Sequence, residues 1–261
     1  GCGSFSSISV TVKALPSANA GQDITTCSNV TDTLGTNELE LGATYTWQQQ
    51  NNIIASGLEL NKLNVTLSNT GSSAFTIPFI LTVEDTNNCK NQDTVLVTVL
   101  PAPPAFAGND TAICAGGSLQ LGTSPLPNLS YNWTTITSNV ANPIITPTAT
   151  ATYTVTVTND TTSCQNKDSV TITVNPLPTF NAGADVSVCV NDTAEIGQPS
   201  VTIYTFQWTP TQGIIGISNS NTALVSWNTD TVINYVLAAT EIGCQATDTV
   251  QVTVLPLPFA N

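Results

Sequence analysis

The sequence contains no histidine, no methionine and no arginine; its only cations are Lys13, Lys62, Lys90 and Lys167. Without histidine, neither a Ser-His-Asp nor a Cys-His nucleophilic centre can be assembled. The absence of histidine and of any Cys-x-x-Cys pair also speaks against zinc. Four lysines face seventeen acidic residues, a net charge of −13. That balance excludes phosphate-neutralising contact with nucleic acid and attraction to anionic membrane surfaces. No apolar run approaches the ~18 residues of a membrane-spanning helix, so no membrane insertion is expected. A charged-then-apolar export leader is missing too. The expectation is a mature internal segment of a larger secreted protein. No sustained 3.6-residue periodicity occurs, so helix content should be near zero.

What is present is repetition. Asn19-Ala20-Gly21-Gln22-Asp23 leads to Cys27, Ala107-Gly108-Asn109-Asp110 to Cys114, and Asn181-Ala182-Gly183-Ala184-Asp185 to Cys189. Each first cysteine is followed by an aliphatic-glycine pair: Leu34-Gly35, Leu121-Gly122 and Ile196-Gly197. An aromatic then precedes a tryptophan by two places: Tyr45 and Trp47, Tyr131 and Trp133, Phe206 and Trp208. A second cysteine follows (Cys89, Cys164, Cys244), then an aspartate (Asp93, Asp168, Asp248), an alternating run and a proline (Pro103, Pro178, Pro258). The organisation read from these markers is residues 1–16 as the last strand of a preceding repeat, 17–103, 104–178 and 179–258 as three repeats, and 259–261 as the start of a following one. The extra length of the first repeat should hold an added loop or strand within Leu58–Ser73.

Tyr153 to Thr158, Ser169 to Val174 and Thr249 to Val254 alternate apolar and polar residues at period two, the pattern of half-buried strands. Threonine favours the extended chain at the outward positions. Short strands between Gly, Pro, Asn and Asp clusters predict about seven strands per repeat. The fold class expected is all-β: a tandem array of small Ig-like, PKD-like antiparallel β-sandwiches. Trp47, Trp133 and Trp208 should fill the cores. Trp227 has no counterpart in the other copies; it is a better candidate than the recurring tryptophans for an exposed or interface aromatic, but a core position is the leading reading for it too. Proline-rich junctions at Leu15-Pro16, Pro101–Pro104, Asn175–Pro178 and Leu255–Pro258 predict semi-rigid joints and an extended rod.

A sandwich this small needs a staple. The repeat logic assigns one disulfide to each repeat: Cys27–Cys89, Cys114–Cys164 and Cys189–Cys244, with Cys2 pairing outside the sequence. Each loop would contribute about 4 kcal/mol by chain entropy. The alternative is pairing between neighbouring repeats. Either arrangement implies an oxidising compartment.

The run Asn-Ala-Gly-x-Asp, Cys, Leu-Gly, Tyr-x-Trp, Thr-Tyr-Thr-Val-Thr-Val-Thr, Cys, Asp-Ser-Val-Thr-Ile-Thr-Val-Asn-Pro-Leu-Pro resembles the PKD-like, immunoglobulin-like repeats of giant surface proteins of Bacteroidota. The match is strongest over 104–178; the third repeat departs at Ala238-Ala239-Thr240. The resemblance implies export by the type 9 pathway, a cell-surface location, and service as an adhesin, gliding filament or prey-catching appendage. It also implies O-glycosylation, because Asp-Thr or Asp-Ser before a small or apolar residue resembles the sequon of such bacteria. The acceptors would be Thr33, Thr94, Thr111, Thr161, Ser169, Thr193, Thr231 and Thr249.

The remaining chemistry is thin. Composition does not exclude a carboxylate pair for glycoside cleavage. The recurring acids Asp23, Asp110, Asp185, Asp93, Asp168 and Asp248 nevertheless fall at strand ends and turns, where aspartate commonly caps backbone. Brought together in pairs they could form a weak calcium site; no other cofactor is expected. The function expected is a non-catalytic stalk or filament segment, with neighbouring repeats and further copies of itself as partners. The alternatives are a glycan- or receptor-binding module, for which Trp227 and Leu58–Ser73 are the candidates, and accessory domains of a secreted hydrolase.

Overall fold

The computed structural model describes residues 6–50, 52–58, 60–199 and 204–258. Cys2 and residues 259–261, which carry two of the expectations above, lie outside them. The described residues contain no helix, and so none long and apolar enough to cross a membrane.

The chain separates into two compact units. One comprises 1–105, 125–132 and 155–168; the other comprises 106–124, 133–154 and 169–261. The first repeat, within the first unit, contributes β1 (Ile24–Cys27), β2 (Thr31–Gly35), β3 (Thr44–Gln49), β4 (Asn52–Leu58), β5 (Lys62–Thr66), β6 (Phe75–Glu84) and β7 (Lys90–Leu100). A five-stranded sheet in the order β1-β7-β6-β3-β4 faces the pair β2-β5. Alternation decides which side chains turn inward. In β6, Phe79, Leu81 and Val83 are buried, and in β7 Val95, Val97 and Val99. They meet Leu34, Tyr45 and Trp47 in one core. The outward positions are paired hydroxyls, such as Thr76 with Thr98 at 2.9 Å and Thr31 with Thr66 at 2.7 Å. Such cross-strand pairs stabilise a sheet without burying charge.

The third repeat, within the second unit, repeats the plan with β14 (Val186–Cys189), β15 (Thr193–Gly197), β16 (Thr205–Thr209), β17 (Ile214–Ile215), β18 (Thr222–Ser226), β19 (Thr231–Glu241) and β20 (Cys244–Leu255). Sheet β14-β20-β19-β16 faces β15-β18-β17, around Trp208, Tyr235, Leu237, Val250 and Val252. The second repeat supplies β8 (Thr111–Cys114), β9 (Leu119–Gln120), β10 (Leu129–Trp133), β11 (Ile144–Ile145), β12 (Ala151–Asn159) and β13 (Gln165–Asn175). Its sheets are β10-β12-β13-β8 and β11-β9. The fold is thus a tandem array of immunoglobulin-like β-sandwiches.

The recurring sequence markers form one packing device. Trp47, Trp133 and Trp208 are buried, and each indole Nε1 donates to a carbonyl at 3.0 Å: Leu60, Val140 and Ser220 respectively. The glycine of each aliphatic-glycine pair donates its N–H to the alanine of the Asn-Ala-Gly segment: Gly35 to Ala20, Gly122 to Ala107, Gly197 to Ala182, at 2.8–2.9 Å. These glycines have positive φ (+89°, +67°, +90°), a conformation open chiefly to glycine. A Cβ at Gly35 would also collide with the Asn61 carbonyl and crowd the Trp47 ring.

One expectation needs correction here. Residues 6–16 form no strand. A strand requires a hydrogen-bonded neighbour, and none of the described strands pairs with this segment. The expected stretch Leu58–Ser73 holds β5 and most of the loop 67–74, as expected; a further strand, β4, lies ahead of it and pairs with β3.

A cross-linked joint as the candidate functional site

The parallel pairing of the first and last strands places the cysteines. Cys27, the last residue of β1, lies across from Leu100, the last residue of β7. Cys114 lies across from Asn175, and Cys189 across from Leu255. In each case the parallel ladder continues one residue further: Ser28, Ala115 and Val190 donate their N–H to Leu100, Asn175 and Leu255 at 2.8–2.9 Å. The second cysteines sit at the other end of the last strand. Cys89 precedes Lys90 of β7, Cys164 precedes Gln165 of β13, and Cys244 opens β20.

The two cysteines of one repeat are therefore separated by the full length of an 11-residue strand, about 33 Å at the rise of a β-strand. A disulfide needs Cα atoms within about 7 Å. The expected pairs Cys27–Cys89, Cys114–Cys164 and Cys189–Cys244 are ruled out on that ground. The bridges found are Cys27–Cys164 and Cys114–Cys244, each with Cα atoms 5.5 Å apart. Each joins the first cysteine of one repeat to the second cysteine of the next. Cys89 and Cys189 are free thiols, both half-buried.

Around Cys27–Cys164 the linker is held at both ends. Upstream, Ser28 is bonded to Leu100, as above. Downstream, Asn166 Nδ2 donates to the Pro103 carbonyl at 3.0 Å. Asn91 does the same for Pro16 at 2.9 Å. Sequence reasoning misses this asparagine, two places after the second cysteine, although its shared offset is visible. The 67–74 loop is also anchored at the joint. Asn69, 5% exposed, donates its N–H to Ser28 Oγ at 2.8 Å and its Nδ2 to the carbonyls of Val99 and Ser73. A cleft of about 620 Å³ opens there, lined by Asn29, Asn69, Asn159, Asn166, Pro103 and Leu129 among others. Its lining has no aromatic and no charged side chain, unlike the mostly apolar, aromatic-rich walls of small-molecule sites.

The recurring aspartates are structural latches. Asp23 Oδ1 accepts the Leu96 N–H and Asp93 Oδ2 the Ala20 N–H, both at 2.8 Å. Asp185 with Gln251, and Asp248 with Ala182, repeat this reciprocal exchange at 2.8 Å. Asp110 accepts the Thr171 N–H at 2.7 Å; Asp168 is half-buried. Among the described residues no three acidic or cysteine side chains gather in a way that could hold a metal ion. Of the named hydroxyls, Thr33, Thr94, Thr111, Thr161, Ser169, Thr193 and Thr249 are exposed and Thr231 is half-buried. Thr33 and Ser169 are engaged across their sheets, with Asn64 and Thr154. Trp227 is half-buried and takes the core position rather than the exposed one: it packs against the third core, and its Nε1 donates to Tyr235 Oη at 2.9 Å. That hydroxyl in turn donates to the Gln212 carbonyl at 2.8 Å.

Comparison with known proteins places little beside this geometry. No family model matches the chain, and no curated protein does. Solved structures similar to it include extracellular domains 3–5 of Drosophila OTK, at 11% identity and TM-score 0.35, covering 91% of this chain and 96% of that one. Titin domains I67–I69 are similar at 13% identity and TM-score 0.33, covering 90% and 96%. The Bacteroides ovatus mixed-linkage glucan utilization protein SGBP-B, solved with a mixed-linkage heptasaccharide, is similar at 17% identity and TM-score 0.23, covering 94% and 69%.

Proposed function

We propose that this chain is a non-catalytic structural segment of a large secreted protein, a spacer that gains reach by repetition, with repeats bounded at 17–103, 104–178 and 179–258. The observation that carries this reading is the position of the bridges. They bind each repeat to the next instead of closing each repeat on itself. A unit built for chemistry gains nothing from such an arrangement, whereas a spacer gains joints that cannot be pulled apart. Disulfides support an extracellular location. The sequence resemblance to surface repeats of Bacteroidota supports a stalk or filament of an adhesin or appendage exported by the type 9 pathway, its other partners being further copies of itself. The polar cleft at the joint lacks the aromatic platform that a glycan-binding reading calls for.

The test is substitution in the parent protein at the cell surface. Deleting residues 17–258, or inserting a second copy of them, should shorten or lengthen the appendage seen by electron microscopy and leave attachment at its tip intact. Loss of attachment on deletion, at unchanged surface display, would give the segment to the binding-module reading.

A further inference from the structure

We propose that Cys189 and Cys89 are open rungs of the same cross-linking series. Cys189 takes the second cysteine of a following repeat of this kind, and Cys89 takes the first cysteine of a preceding one. The proposal deepens the spacer reading by naming the partner and the two atoms through which it attaches.

The two bridges present define the rule, first cysteine of one repeat to second cysteine of the next. Cys189 is placed as Cys27 and Cys114 are. It ends a short strand parallel to the final strand, across from that strand's last residue, and the following N–H, of Val190, is bonded to the Leu255 carbonyl at 2.9 Å. Cys89 is placed as Cys164 is. Its carbonyl closes the turn before the final strand, accepting the Asp85 N–H at 3.0 Å as Cys164 accepts that of Asn159 at 2.9 Å. The asparagine two residues later holds a linker proline in both cases, Pro16 for Cys89 and Pro103 for Cys164. The joint ahead of Cys89 thus has its linker contact made and its bridge unmade. The bonded counterparts Cys164 and Cys244 are 0% and 1% exposed; Cys89 is half-buried.

A second observation points to a partner on the same side. Ile8, Val10 and Val12 are 88%, 80% and 88% exposed. Counted from Cys2 and Cys89, they fall at the positions of Val95, Val97 and Val99, which are 0–1% exposed in the first repeat's core. An alternating apolar strip so exposed is one whose core is supplied from elsewhere.

Each new rung forms from two thiols by loss of two protons and two electrons. A small-molecule disulfide such as oxidised glutathione accepts them and leaves as two thiols.

The test extends the full chain. A second copy of residues 104–178 is joined after Pro258, the protein is refolded in a glutathione buffer, and free thiols are alkylated before non-reducing peptide mapping. Cys189, alkylated in the original chain, should become protected and map to the Cys164 of the added copy. Changing that Cys164→Ser should return Cys189 to the alkylated pool. Independently, a copy of residues 17–87 placed before Gly1 should protect Cys89 through the added copy's Cys27. Alkylation of Cys189 and Cys89 in both extended chains, or their bonding to cysteines of the wrong position, overturns the proposal. The spacer reading, which rests on the bridges already present, would survive that result.

Discussion

Cys27 and Cys164, 137 residues apart in sequence, are joined with their Cα atoms 5.5 Å from each other, on either side of the linker Pro101–Pro104. Cys114 and Cys244 repeat the relation. The shortest covalent route along the oxidised chain therefore avoids the linkers Pro101–Pro104 and Asn175–Pro178. It follows residues 1–27, crosses to 164, returns to 114, crosses to 244 and continues to 261.

Two measurements follow from that route. Cutting the chain once within Pro101–Pro104, at an introduced protease site, should leave a single species on denaturing gels without reductant and two species with it. Pulled from its ends, the oxidised chain should extend to roughly a third of the contour of the reduced chain, at ~3.5 Å per residue. Bridges within repeats would release two fragments at the first test, and that result would return the assignment to Cys27–Cys89.

Gly35 should tolerate no side chain. Gly35→Ala places a Cβ at positive φ and against the Asn61 carbonyl, so it should destabilise the first repeat by more than about 1 kcal/mol in chemical denaturation. Gly57→Ala is the contrast: a Cβ there would meet nothing within 4 Å, and its effect should stay within about 0.5 kcal/mol. Equal effects would mean that the packing of Gly35 against Trp47 carries no weight.

Tyr235 ties Trp227 to the Gln212 carbonyl, and Tyr235→Phe should cost about 1–3 kcal/mol because two part-buried polar groups lose their partner. Burial pushes the Tyr235 phenol above its ordinary 10.0, although the bond from Trp227 pulls the other way. An acid held neutral in this way contributes stability that is complete below the ordinary value and is lost as pH rises through the folded one. Alkaline titration should therefore erode the stability of the wild-type protein more steeply than that of Tyr235→Phe. Parallel curves would show that the phenol does not report on folding.

Asp85 makes the opposite prediction at the acid end. The Asn87 side chain, then the Cys89 N–H, and less strongly the Asn87 N–H and Lys13, hold its carboxyl below the ordinary 3.8 against an opposing desolvation effect. A depressed carboxyl stabilises above the ordinary value, and that contribution is lost as pH falls through the folded one. Amide exchange at Asn87 and Cys89 should stay slow near the ordinary aspartate value and quicken only at lower pH. Titration of Asp85 at 3.8 by carboxyl NMR would contradict the turn geometry around Cys89.

The sequence by itself determined the strands, the repeats and the residues that mark them. Period-two alternation reports burial directly, so β7, β12, β13 and β20 were legible, and one tryptophan per copy could be assigned to a core. The recurring aspartates were legible as backbone caps but not as reciprocal latches, because their partners Leu96 and Ala20 lie some seventy residues away. Only the tertiary structure decided how the cysteines pair. Spacing along a chain does not tell whether two strands run parallel or antiparallel, and the parallel match of Cys27 to Leu100 sends the two thiols of one repeat to opposite ends of its sheet. The hydrogen bond from Trp227 to Tyr235 was likewise a matter of tertiary structure, as was the state of residues 6–16, whose alternation specifies a strand that only a hydrogen-bonded neighbour can complete.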